Sequence, residues 1–381
     1  MKMRQNHTSD WWAALILLWA FVGCQSIQEA KSPTMIPIMQ SPESSATAVN
    51  ENTSEPTYSS LTLGYYTGSP ESYNSLIAHA DSLDIVSVDV YGLDSAGNLT
   101  GADGYDVVHQ PGLQDIDFYV CINNWNSAPS VDYFDPEMAR IAIVEQRQKM
   151  VSQLIALAVE EDYAGVNIDF ENLTWSADLK DPRREFTRFI HELAEKLHQN
   201  SKQLIISVPA KLNDDPNNDW AYPFDLAALG READYLQLMT YDQHGPWSYP
   251  GPVSGVDWVE ECLSYTTSIV EPEKLLIGLP AYGYDWNLDR CNGEGICEAT
   301  SFAWKNIPVL LERPNAQLLR DAGSESPSLT YVKGGQKHVA WFEDQISLQS
   351  KVRLIHKYHL AGLSVWALGM DDLEFWQIVT Q

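Results

Sequence analysis

Apolar and polar positions alternate strictly from Tyr163 to Asn172. Val166, Ile168 and Phe170 fall on one side, Asn167, Asp169 and Glu171 on the other. A period of two is the signature of a β-strand with one set of side chains on each face. The same reading predicts strands at 61–66, 84–91, 117–124, 203–209, 235–242, 274–282 and 361–367. Between them lie segments of helical spacing. One is short (72–82) and one long (136–161). A third starts at Asp181-Pro182, with Asp as N-cap and Pro at the first helical position. Its apolar stripe is Phe186, Phe189, Ile190, Leu193 and Leu197.

Eight strands separated by helical or loop segments predict an α/β chain folded as a (β/α)8 TIM barrel. Residues 285–340 break the rhythm. They hold a helical segment near 307–312 and a β-like 328–332, and read as a small α+β insertion between strands seven and eight.

The polar face of the 163–172 strand carries the first candidate chemistry. Acids at alternate positions, Asp169 and Glu171, lie about 6–7 Å apart at Cα, given a rise of about 3.3 Å per residue. In a shielded cleft they resist double ionisation, so one keeps its proton near neutral pH, as a general acid requires. The competing reading is an acidic edge strand facing water; the flanking helices argue that the strand is covered. Barrel sites sit at the C-terminal ends of strands. Tyr241 and Asp242, Tyr282 and Trp366 fall at such ends, with Met239 just before them. Asp89 and Asn123 point inward by parity and read as support. His244 and His338 read as loop residues without a catalytic partner.

Composition narrows the partners. The net charge of −28 excludes nucleic acid and disfavours a polyanionic substrate, leaving a neutral or cationic polymer. No C-x-x-C pair or zinc-spaced cysteine–histidine cluster occurs, so neither a metal nor a cofactor is expected. Residues 1–24 read as an export signal: Lys2 and Arg4 precede an apolar run, Trp11 to Val22, shorter than the ~20 residues of a membrane span. The run ends at Cys24 in a pattern that resembles the lipobox of bacterial lipoproteins, with Phe21 where Leu is usual; a plain cleaved signal and an uncleaved anchor are the alternatives. Residues 25–58, rich in Ser, Thr, Pro, Glu and Asn, read as a disordered linker, and 59–381 as the catalytic barrel. The expectation is a monomer, extracellular or at the cell surface, touching a membrane only through an N-terminal lipid on Cys24. Cys291 and Cys297 bracket a Gly-rich loop that a disulfide could close in an exported chain.

The motifs together resemble glycoside hydrolase family 18, the chitinase-like barrels, over roughly residues 61–376. The family's strand-four pattern Asp-x-x-Asp-x-Asp-x-Glu is matched at its last two acids, Asp169 and Glu171; Ala164 and Asn167 stand at the first two. This Asn-Ile-Asp-Phe-Glu form looks like the branch of spore-cortex-lytic N-acetylglucosaminidases. Met239-Thr240-Tyr241-Asp242 matches strand six, Gly278 to Gly283 strand seven, and Trp341 to Asp344 with Gly362 to Gly369 the end of the barrel.

The resemblance implies hydrolysis of N-acetylglucosamine-containing polysaccharide with retention, the substrate's own 2-acetamido group serving as nucleophile. It implies Glu171 as proton donor, Asp169 as the group that orients the acetamide, Tyr241 as its hydrogen-bond partner and Trp366 as the floor under the ring. Asp242, Asn167, Met239 and Tyr282 would complete the binding site. The substrate stays open among chitin, peptidoglycan and N-glycan. Two other readings are a non-catalytic lectin on the same barrel, against which the presence of Glu171 argues, and a structural surface protein. Asn167 in place of a carboxylate implies less repulsion on Glu171, so Asn167→Asp is expected to move the alkaline limb of activity upward.

Overall fold

The computed structural model describes residues 35–37, 60–128 and 133–380. Cys24 and the export signal lie outside the described residues. Of the segment read as a disordered linker only Met35–Pro37 is described, and it is a strand paired antiparallel with Gln317–Asp321.

Eight parallel strands close into a barrel: β1 (Leu61–Tyr66), β2 (Ile85–Leu93), β3 (Asp117–Asn123), β4 (Gly165–Asp169), β5 (Gln203–Pro209), β6 (Tyr235–Met239), β7 (Leu275–Pro280) and, after an insertion, β13 (Gly362–Trp366). Neighbours run β1-β13-β7-β6-β5-β4-β3-β2, and β2 pairs back onto β1. Each strand buries one set of side chains against the outer helices. The helix from Asp181, Pro182–Gln199, follows its sequence signals closely: the Asp181 side chain accepts from Arg184 N, and the predicted stripe is fully buried.

The other set points into the barrel, and just below the rim it is polar. Asn167 Nδ2 donates to Tyr65 Oη (3.0 Å) and Ser87 Oγ (2.8 Å), and its Oδ1 accepts from Ser207 at 3.2 Å. Tyr65 Oη donates to Gln237 Oε1, and Gln237 Nε2 donates to Ser364 Oγ at 2.9 Å. These contacts form a hydrogen-bonded girdle across β1, β2, β4, β5, β6 and β13. Every member is essentially excluded from solvent, and a satisfied buried network of this kind fixes a single arrangement.

Three expectations need correction. The predicted 136–161 helix is two helices, Pro136–Arg140 and Arg147–Glu160, joined by a π-turn over Ile141–Glu145 in which Gln146 N reaches Ile141 O at 2.8 Å. One extra residue hardly alters an apolar spacing, so the period concealed it. The fourth strand stops at Asp169, because the β3–β4 ladder ends at the pair Asn123–Asp169. Glu171 therefore lies past the strand, at the rim.

The insertion begins right after β7 and is mostly sheet. Its strands are β8 (Tyr282–Cys291), β9 (Cys297–Ala303), β10 (Gln317–Asp321), β11 (Pro327–Lys333) and β12 (Gln336–Trp341), antiparallel in the order β10-β11-β12-β8-β9, with one short helix, Ile307–Leu311. Cys291 and Cys297 form a disulfide across the β8–β9 hairpin. His338 is not a loop residue. It lies buried on β12, its Nδ1 3.0 Å from Asp285 Oδ1 and its ring stacked on Tyr331.

Candidate active site

Four carboxylates gather at the C-terminal rim: Asp89 from β2, Asp169 from β4, and Glu171 and Asp242 from the loops after β4 and β6. Among the described residues no lysine or arginine forms an ion pair with any of them. Burial is the first cause acting on all four, and it favours the protonated form. The Asp169 carboxyl is held well above the usual carboxylate range by burial, then by the charges of Glu171 and Asp89. Its Oδ1 is buried and has no hydrogen-bond partner among the described residues. Burial pushes Glu171 up to about 7; the Trp220 hydrogen bond opposes this and Asp242 adds to it. Asp89 is pushed up to about 6 by burial, against the amide of Asn123, which donates to it at 2.7 Å. Asp242 is raised by burial and steadied as a carboxylate by the hydroxyls of Tyr282 and Tyr284, which donate to Oδ1 at 2.6 and 2.9 Å.

The backbone of Glu171 has left the strand ladder, and a side chain takes the ladder's place. Asn124, fully buried, accepts from Glu171 N at 2.9 Å and donates to Glu171 O at 3.0 Å. Among the described residues the Glu171 carboxylate accepts one bond, from the indole Nε1 of Trp220 at 3.2 Å. Tyr241 is 8% exposed. Burial and the nearby acids, Asp169 foremost, hold its phenol well above its ordinary value, so it remains a neutral donor. Its ring lies against Gly278, where an added Cβ would come within 2.6 Å of Tyr241 Cε1. Glycine there is a packing requirement of the site. Trp366 stands at the end of β13, tilted against Tyr65 at 5.2 Å, and its peptide bond to Ala367 is cis.

Asp169, Glu171, Tyr241, Asp242, Tyr282 and Trp366 thus share one rim. Two of the residues read as substrate-binding do not reach it. Asn167 belongs to the girdle one layer down, its amide occupied by Tyr65, Ser87 and Ser207, so it supports Asp169 from below. Met239, 5% exposed, packs beneath Tyr241 and Tyr282 in the aromatic cluster that also takes Trp286 and Trp341. Sequence reasoning missed Asn124, Trp220, Tyr284 and the girdle partners of Asn167. Tyr284 had a signal, the period of two from Tyr282. Trp220, on a long loop after β5, had none. No group of acids, histidines and cysteines among the described residues has the geometry of a metal site.

An acid held protonated near neutrality, a second carboxyl with a free buried oxygen, a neutral phenol and an aromatic floor suit the cleavage of a glycosidic bond. Comparison with known proteins agrees. Residues 64–371 match the model of Glycosyl hydrolases family 18. The chain is 32% identical over 322 residues to the uncharacterized glycosylase YvbX of Bacillus subtilis, covering 84% of this chain and 90% of that one. It is 25% identical over 254 residues to the cortical fragment-lytic enzyme of Bacillus subtilis, covering 65% of this chain and 56% of that protein. The crystal structure of a chitinase from Chromobacterium violaceum superposes with a TM-score of 0.75 at 34% identity, covering 85% of this chain and 98% of that one. The chain belongs to glycoside hydrolase family 18 and is a glycoside hydrolase.

Proposed function

We propose that this enzyme hydrolyses β-linked N-acetylglucosamine polymers with retention, by substrate-assisted catalysis, outside the cytoplasm. The observation that carries the reading is the buried, unpartnered Oδ1 of Asp169 beside Glu171 and Tyr241. A buried acceptor without a partner is costly unless a ligand supplies the donor. The N–H of a 2-acetamido group is such a donor, and the Tyr241 hydroxyl is free to donate to the acetamide oxygen. That oxygen then forms a bond to the anomeric carbon as the glycosidic C–O bond breaks. The leaving oxygen keeps the bonding pair and takes the proton of Glu171. In the second half Glu171 removes a proton from the water that opens the oxazolinium ring, and is reprotonated.

Asp242 and Tyr282 form the wall and Trp366 the floor. A cleft whose charged groups are acids suits an uncharged polymer. The names of the relatives, chitinase and cortical fragment-lytic enzyme, point to chitin and to cortex peptidoglycan. Attachment through Cys24 would hold the barrel at the cell surface on the segment up to residue 59.

Turnover of a fluorogenic chitobioside by wild type and Glu171→Gln tests the reading. The variant is expected to lose about 10²–10⁴ in rate while still binding chitin oligomers. Oligomers with glucosamine on the non-reducing side of the cut should bind and stay intact. Activity of Glu171→Gln within a few-fold of wild type, or cleavage of chitosan as fast as chitin, would sink it.

A further inference from the structure

The loop between β5 and the helix Leu226–Glu232 is strapped to the barrel along its length. Lys211 Nζ, 3% exposed, donates to Asp214 (2.9 Å) and to Phe224 O (2.7 Å). Arg183 Nη1 donates to Asp214 (2.8 Å) and to Tyr222 O (2.9 Å). At its tip the loop meets the segment carrying Glu171 at two successive residues. Asp219 O accepts from Thr174 Oγ1 at 2.6 Å, and Trp220 Nε1 donates to Glu171 Oε2 at 3.2 Å. The indole ring is seated against the cluster of Met239, Tyr241 and Tyr282. Residues 45 and 49 positions apart in sequence are thus joined by two neighbouring contacts, held at one end by a buried lysine and an arginine.

An indole N–H only donates. Glu171 Oε2 must therefore act as the acceptor, and the carbonyl oxygen of a protonated carboxyl is the better one. With Oε2 engaged, the proton of Glu171 sits on Oε1, directed away from the loop. We propose that Trp220 is a positioning residue that fixes which oxygen of Glu171 carries the transferable proton and stabilises the carboxylate left once it has gone. This rests on Glu171 being the acid. As the glycosidic bond breaks, the proton passes from Oε1 to the leaving oxygen. The electrons of the O–H bond stay on Glu171, and the Trp220 bond becomes a bond to a charged acceptor, roughly twice as strong as before. When Oε1 takes a proton from water the bond reverts.

Other groups facing Glu171 act in the opposite sense or not at all. Asp169 from β4 and Asp242 from the end of β6 are acids, Asp89 stands behind Asp169, and Tyr241 is neutral. Asn124 holds only the backbone. Among the described residues Trp220 is the one side chain bonded to the carboxylate and the one that favours its ionised form.

Trp220→Phe keeps the ring and removes the N–H. The expected result is a fall in kcat of about tenfold, KM within a few-fold, and an alkaline limb of kcat shifted upward by about one pH unit. A packing role alone would leave that limb in place. An unmoved limb with kcat near wild type overturns the proposal. A measurement on the unmutated enzyme covers the case in which the variant does not fold. In ¹⁵N-labelled protein one indole N–H resonance should titrate with the midpoint of the alkaline limb, and that titration should vanish in Glu171→Gln. No indole resonance following the limb counts against the proposal even where Glu171→Gln is inactive. An active Glu171→Gln overturns the assignment of the acid itself.

Discussion

Glu343 and Asp169 are both buried acids, and the molecule treats them in opposite ways. Glu343 lies just past β12 with 0% exposure, and Lys351 Nζ, equally buried on the helix Gln345–Tyr358, donates to its Oε2 at 2.6 Å. Burial raises the Glu343 carboxyl, and Lys351 works against that rise. Asp169 is 6% exposed and has acids around it in place of a cation. Among the described residues each of the two acids keeps one buried oxygen without a partner, Glu343 Oε1 and Asp169 Oδ1, so the cation is what separates them. A buried carboxylate that only holds the fold is given a cation. One meant to meet a substrate is denied it, and the cost of burial becomes a proton held near neutral pH.

Breaking the structural pair should have the largest effect. Lys351→Met leaves Glu343 buried and uncompensated, and is expected to destabilise the fold by about 3–5 kcal/mol at neutral pH. Without its cation Glu343 would have a folded-state pKa raised above its unfolded value. Its penalty would be small below the unfolded value of about 4.3 and would grow as pH rises above it. Denaturant unfolding at acid and neutral pH reads this directly. At the rim the sign is opposite. Glu171→Gln removes a group whose folded pKa is already raised to about 7, so it should stabilise the enzyme by up to about 3 kcal/mol above neutral pH and not at all in acid. Equal losses of stability in the two variants would erase the contrast.

The second effect concerns how the rim acid is held. Asn124→Ala removes both bonds to the Glu171 backbone without touching its carboxyl. Misplacement of a reacting group by about 1 Å costs up to roughly 10²-fold in rate. A loss in kcat of about 10–100-fold is expected, with the alkaline limb unmoved. That separates Asn124 from Trp220, whose loss should move the limb. A wild-type kcat would mean that the loop holds Glu171 unaided.

These two regions also differ in how far the sequence reveals them. The barrel was legible because its strands are short apolar runs and its helices carry caps, as at Asp181-Pro182. The line of Asn167, Asp169 and Glu171 was legible because a period of two needs only local sequence. Glu171 keeps that parity although it has left the strand. What stayed hidden acts across the fold. Asn124 meets Glu171 from 47 residues away and Trp220 from 49. The Asp285–His338 contact joins two strands of the insertion 53 residues apart. None of these pairs has a spacing that a local pattern could report.

The smallest effect is expected from Asn167→Asp, and here the structure reverses the expectation drawn from sequence. If an aspartate at 167 were charged, it would repel Asp169 and Glu171 and move the alkaline limb upward. The surroundings of Asn167 argue against a charge. The residue is fully buried. Its partners are three hydroxyls, and among the described residues no cation is bonded to the girdle. Burial and the neighbouring Asp169 would both favour the neutral acid. A protonated aspartate can still accept from Ser207 with one oxygen and donate with the other, to Tyr65 or to Ser87. It loses one of the two bonds that the amide donates, a cost of about 1 kcal/mol, and adds no charge at the pH where Glu171 titrates. The alkaline limb should therefore shift by less than about 0.3 pH unit, while thermal stability falls slightly. Profiles of kcat across the neutral range, wild type against Asn167→Asp, decide the matter. An upward shift of a full unit would mean that the girdle admits a charge and that the boundary between the acids of the rim and the neutral layer beneath them is not where the hydrogen bonds draw it.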